Sequence, residues 1–69
     1  MAEILSPVAG KIQEVNVKIG QMITDDDEIF IIEAMKMENA IYGESGVVKE
    51  IRVAVGDQVQ EDQVLAVVE

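Results

Sequence analysis

The residue types that most often carry chemistry are scarce in this chain. Histidine and cysteine are both absent, which removes the usual imidazole base, thiol nucleophiles, disulfide frameworks and zinc-finger ligand sets together. Two clusters remain. The first is Glu33-Ala34-Met35-Lys36-Met37-Glu38-Asn39, where one lysine stands between two methionines. A free lysine, with a pKa of about 10.4, is a poor nucleophile at neutral pH, so chemistry at Lys36 needs activation from elsewhere. The segment joins two stretches of strand character and a hairpin is expected, yet the usual tight-turn residues are missing from its tip. Large apolar side chains on an exposed end break local rules, and such breaks gather where something other than stability is at work. Two plainer readings stand beside this one: turn lysines are mostly just solvated, and methionine fills irregular gaps in cores.

The second cluster is Asp25-Asp26-Asp27-Glu28. Clustered oxygen ligands suit calcium, but the spacing is not that of an EF-hand loop and the loop glycine is missing. A solvated turn and no metal site are expected.

The elements that must position these residues follow from length and composition. Sixty-nine residues make one domain, 1–69, which buries only about 60% of the surface its unfolded chain exposes. That leaves no room for a scaffold plus a deep catalytic cleft. Fourteen acidic against five basic residues give a net charge of −9, which argues against nucleic acid or an anionic membrane as partner. No apolar run approaches the roughly 18 residues of a membrane span, and no signal peptide opens the chain, so a soluble, cytoplasmic protein is expected. Valine and isoleucine supply 20 of the 34 hydrophobic residues. β-Branched side chains suit a pleated sheet better than a helix, which makes all-β the expected fold class.

The chain also repeats itself. A shift of 36 residues lays 3–33 on 39–69 without a gap, matching Gly10 with Gly46, Glu14 with Glu50, Val17 with Val53, Gly20 with Gly56 and Asp26 with Asp62. Each half reads as four short strands: Glu3 to Leu5, Lys11 to Val17, a piece near Met22, and Glu28 to Ala34, then Asn39 to Ile41, Val47 to Val53, near Val59, and Val64 to Val68. Period-2 alternation runs through Val15, Val17 and Ile19, and through Ile51, Val53 and Val55. In both halves it slips by one residue before Ile12 or Val48, which predicts a shared bulge or bend. Two such copies would close on one another as a small two-sheet sandwich or flattened barrel. A quasi-twofold axis would then set the 34–38 linker and the chain ends at opposite ends of the molecule.

Glu33-Ala34-Met35-Lys36-Met37-Glu38 resembles the attachment motif of biotinyl domains, the biotin carboxyl carrier modules of biotin-dependent carboxylases and decarboxylases. The resemblance runs along the whole chain, because Ser6-Pro7-Val8-Ala9-Gly10, the Gly20 turn, Gly46 and Val53-Ala54-Val55-Gly56-Asp57 fall where such domains place theirs. It implies a flattened eight-stranded barrel of two four-stranded antiparallel sheets with quasi-twofold symmetry, the biotinyl/lipoyl architecture. It further implies that biotin is joined covalently to the Lys36 ε-amino group by a separate biotin protein ligase. Met35 and Met37 would help that ligase recognise the tip, and Glu33 and Ala34 would shape the approach to it. A biotin carboxylase using ATP and bicarbonate would load a carboxyl group onto the cofactor, and a carboxyltransferase would unload it. Tethering raises the effective concentration of cofactor at both sites. The domain itself would be a non-catalytic, monomeric carrier of an acyl-CoA (propionyl-CoA-type) or pyruvate carboxylase, or of a related decarboxylase.

Some positions depart from the family's pattern. Lys18-Ile19-Gly20-Gln21 leaves no room for the "thumb" insertion of bacterial acetyl-CoA carboxylase carriers. Asp26 and Asp62 stand where many members have a turn glycine, and aspartate tolerates the left-handed conformation better than most residues. Glu44 falls near a frequent proline. A lipoyl domain of a 2-oxo acid dehydrogenase complex shares the fold and the lysine, but usually flanks it with aspartate before and alanine after. An unmodified barrel module, as in efflux adaptor proteins, lacks the hexamer.

Overall fold

The computed structural model describes the whole chain, Met1–Glu69. It contains eight strands and no helix: β1 (Ala2–Leu5), β2 (Gly10–Val15), β3 (Met22–Ile23), β4 (Glu28–Ala34), β5 (Met37–Tyr42), β6 (Gly46–Ile51), β7 (Gln58–Val59) and β8 (Val64–Val68). They form two antiparallel four-stranded sheets, ordered β1-β8-β6-β3 and β5-β4-β2-β7. Moving each strand label by four turns one order into the other, which is the quasi-twofold relation expected of the fold. Each sheet draws two strands from each half of the chain, so neither half could bury its apolar face alone.

The slip in alternation is a bulge in both copies. Pairing of β2 with β4 shifts between Ile12 and Glu14, and pairing of β6 with β8 shifts between Val48 and Glu50. A second matched pair lies at Ile29 and Leu65. The registers jump from Glu28 to Phe30 against β5 and from Val64 to Ala66 against β1. The extra residue lets Ile29 and Phe30 both enter the core, which an unbroken strand would forbid. β4 and β8, each an inner strand, carry four consecutive buried residues, Ile29–Ile32 and Leu65–Val68, of which Ile31 and Val67 lie outside the core cluster. Phe30, Ile12, Ile23, Ile29, Ile32, Leu65, Val48 and Val68 are the largest fully enclosed side chains. Burial of an apolar side chain of this size stabilises by about 1.5–3 kcal/mol.

Strands β2 and β6 stop two residues earlier than the alternation predicts. Val17 and Val53 are still buried, but lie off the ladder where the chain crosses between sheets. Ile19 and Val55 belong to the turns that follow and are 67% and 65% exposed rather than part of the apolar face.

Four turns repeat a single device. The backbone N–H of Lys18, Thr24, Ala54 and Gln60 each donates to the side chain three residues on: Gln21 Oε1 at 3.1 Å, Asp27 Oδ2 at 2.8 Å, Asp57 Oδ2 at 2.9 Å and Gln63 Oε1 at 3.0 Å. Three of them place their third residue at positive φ, namely Gly20 (91°), Gly56 (96°) and Asp62 (67°). Asp26 departs from its partner Asp62 and keeps a negative φ. Its N–H donates to Thr24 Oγ1 at 3.3 Å, and the equivalent Gln60 has no hydroxyl to offer.

The chain ends lie away from the β4–β5 turn. Gly43, past the far end of β5, packs on Ile23 and Ile29. Ile23 in turn pairs with Gly46, and Gly46 lies against Val68 and Glu69. The termini thus neighbour the end of β5 opposite the turn, in a molecule 31 Å long and 18 by 17 Å across.

Candidate functional site

The β4–β5 connection is tighter than a five-residue linker. Ala34 pairs with Met37, leaving only Met35 and Lys36 in the loop. Both hold left-handed backbone conformations, with φ of 55° and 63°. Such a two-residue loop matches the right-handed twist of the strands, which is why Asn-Gly is its usual occupant. Methionine and lysine carry a Cβ that disfavours this region by about 1–2 kcal/mol each. The strain falls on Met35, one of the two methionines that the sequence marks as unsuited to a turn, and on Lys36, while Met37 already belongs to β5.

The side chains here are outward. Met35 is 93% and Met37 66% exposed, so neither fills a core gap. Lys36 is exposed and takes part in no side-chain hydrogen bond or ion pair; the one ion pair in the molecule joins Arg52 to Glu50 at 3.2 Å. The apex therefore presents a primary amine that no group of this chain engages, between two solvated thioether side chains. That donor chemistry suits a carboxylic cofactor held through an amide.

Below the apex the hairpin is anchored by close packing and by one side chain. Glu33 lies opposite Glu38 on β5 and opposite Lys11 on β2. Ala34 is half-buried because Gly10 packs beside it. A Cβ on Gly10 would collide with the Glu33 carbonyl oxygen and Ile32 Cγ2, and would press on Ala34 Cβ at 3.2 Å. The short side chains of Gly10 and Ala34 thus belong to one contact. Gly10 is the close backbone approach that carries the root of the hairpin. Asn39 closes the sequence cluster with no role evident there. Its side-chain amide donates to Met37 O at 3.2 Å and Ile32 O at 3.3 Å, and only its polarity on a core-facing strand could have drawn attention to it.

The surface has one concavity, of about 400 Å³, between edge strands β1 and β5 and lined in part by Ile4, Leu5, Ile41 and Tyr42. None of Glu33 to Met37 lines it. The site is a protrusion, not a cleft. The Asp25–Glu28 acids are exposed, the aspartates in the turn and Glu28 at the start of β4, and no three acidic side chains gather as a metal-binding group.

The chain belongs to the biotin/lipoyl attachment family: the family profile described as "Biotin-requiring enzyme" matches residues 2–68. The mitochondrial propionyl-CoA carboxylase alpha chain of Homo sapiens is 40% identical over 65 residues, 93% of this chain and 9% of that one. The Biotin/lipoyl attachment protein of Bacillus subtilis is 44% identical over 59 residues, 84% of this chain and 81% of that protein. The crystal structure of the Kluyveromyces lactis urea carboxylase superposes with a TM-score of 0.89 at 29% identity, covering 99% of this chain and 6% of that chain. This chain therefore spans less than a tenth of the carboxylase chains it matches. The expected biotinyl domain, its eight-stranded fold and biotin as its cofactor agree with these relationships.

Proposed function

We propose that Lys36 is the residue that bears biotin, and that this domain is a non-catalytic carrier within a biotin-dependent carboxylase system. The observation that supports this most directly is an unengaged amine at the apex of a strained two-residue turn, flanked by exposed Met35 and Met37. Attachment joins the Lys36 Nζ to the biotin carboxyl carbon as an amide. With biotinyl adenylate as donor, the C–O bond to the phosphate breaks, AMP leaves and the nitrogen gives up a proton. A separate biotin protein ligase supplies that activation, because a chain without histidine offers no evident base beside the amine.

Biotin held on Lys36 would supply the carboxyl-accepting chemistry that links a biotin carboxylase to a carboxyltransferase site. The residues of this chain present and orient the arm. Met35 and Met37 offer apolar surface to the ligase, Glu33 adds charge beside it, and the half-buried Ala34 keeps the approach narrow. Placement of the tip away from the chain ends leaves it free to enter partner sites while the domain is tethered. Similarity to propionyl-CoA carboxylase alpha chains over 93% of this chain supports an acyl-CoA carboxylase as the parent system.

Intact mass after co-expression with a biotin ligase and free biotin tests the assignment, with Lys36→Ala alongside. A gain of one biotin less one water, absent in the variant, is the expected result. No gain with biotin, but a gain with a lipoate ligase and lipoate, overturns it.

A further inference from the structure

We propose that Asn39 is a positioning residue of the attachment site, clamping the Met35–Lys36 turn in the left-handed conformation that presents Lys36; this rests on Lys36 being the residue that bears biotin. The Asn39 Nδ2 donates to the carbonyls of Met37 at 3.2 Å and Ile32 at 3.3 Å. Met37 is the first residue after the turn and closes it against Ala34, while Ile32 is the cross-strand partner of Asn39 itself. One amide group therefore ties both arms of the hairpin just below the apex. No other side chain hydrogen-bonds to the main chain of β4, the turn or β5.

The clamp answers a need that the other turns meet differently. The positive-φ turns at Gly20 and Gly56 use glycine, which has no Cβ penalty, and a side-chain acceptor at the last turn residue. The apex has neither, yet holds two consecutive non-glycine residues at positive φ. Conformations of this kind persist only where the surroundings over-determine them, and Asn39 is the side chain placed to do so. Its effect depends on donation. An aspartate of the same shape only accepts, and would set a carboxylate against two carbonyl oxygens.

A turn that visits the presenting conformation for only a fraction of the time weakens apparent ligase affinity by that fraction. The loss of one to two hydrogen bonds corresponds to about a five- to thirtyfold change. The test compares the wild-type chain with Asn39→Asp and Asn39→Ala as substrates of a biotin ligase, with biotin and ATP. The temperature is one at which circular dichroism shows every variant folded. The expected result is a KM for the domain raised about five- to thirtyfold with kcat nearly unchanged. Amide hydrogen exchange should also quicken at Met35–Met37, while that of Ile12 and Val48 in the core stays as in wild type. Glu3→Ala, at the quasi-equivalent position on β1, should leave KM unaltered. Wild-type KM and wild-type tip exchange in both Asn39 variants would overturn the proposal, as would losses that merely track global unfolding. Should the wild-type chain fail to be modified at Lys36, the functional assignment fails, and the exchange comparison still decides the role of Asn39.

Discussion

Glu33 and Glu38 face one another across strands β4 and β5, the first cross-strand pair behind the one that closes the Met35–Lys36 turn. Directly opposed like charges on a sheet are destabilising by a few tenths to about 1 kcal/mol, and neither carboxylate has an ion-pair partner. Glu38→Gln should therefore raise the melting temperature by a few degrees. The gain should shrink in 1 M salt, where exposed charges are screened. The same substitution should slow modification by a biotin ligase a few-fold at low ionic strength, because it removes charge beside the lysine that a basic partner surface can use. An unchanged melting temperature at low salt would show that the two side chains diverge into solvent.

The turn itself sets stability against presentation. Replacing Met35-Lys36 by Asn-Gly supplies the residues that a two-residue loop with both positions at positive φ prefers. Relief of about 1–2 kcal/mol at each position should raise the urea midpoint and the melting temperature, by about 4–8 °C for each kcal/mol in a domain of this size. The same variant should accept no biotin. A double variant no more stable than wild type would mean that the backbone strain at the apex is already offset by contacts that the methionine and lysine stems make.

Much of this arrangement is legible in the chain because it is local or repeated. Gaps of two residues between like side chains give the strands. The 36-residue repeat gives the pairing of halves and the shared bulge at Gln13 and Lys49. The one unrepeated segment, with Lys36 between two methionines and no usual turn residue, marks the tip. What escapes is set by chain segments distant in sequence. Nothing near Gly10 says that Ala34 will press against it, and nothing near Asn39 says that its amide will reach back to Ile32. Ile19 and Val55 continue the apolar alternation in the sequence, but lie in exposed turns because the ladder has already ended at Val15 and Ile51.

Gly10 offers a direct measure of how closely the hairpin root is packed. Gly10→Ala places a methyl group against the Glu33 carbonyl and the Ile32 and Ala34 side chains, so β2 must shift away from β4. Overpacking of this kind costs about 1–3 kcal/mol. Gly20→Ala meets nothing within 4 Å and suffers only from its φ of 91°, which costs about 1 kcal/mol. Urea unfolding should rank Gly10→Ala as the more damaging. Because the shift falls on the residues beneath Lys36, Gly10→Ala should also slow modification, whereas Gly20→Ala should not. Equal losses of stability would place the tolerance of this contact in movement of β2 rather than in its packing.

Asp26 and Asp62 occupy equivalent places in the repeat and should respond oppositely to the same change. Asp62 holds φ at 67°, where a glycine has no Cβ to clash, so Asp62→Gly should stabilise by up to about 1 kcal/mol. Asp26 sits at negative φ, and its N–H is held by Thr24 Oγ1. There, glycine only adds freedom to the unfolded chain, and Asp26→Gly should cost about 0.5–1 kcal/mol. Removing the hydroxyl tests the cause: in a Thr24→Val background, Asp26 loses its side-chain acceptor and the penalty for Asp26→Gly should shrink or change sign. Thermal unfolding of the four variants closes the cycle. Additive effects of Thr24→Val and Asp26→Gly would mean that the hydroxyl does not set the turn, leaving its different backbone path to the Asp27 side chain that accepts from Thr24.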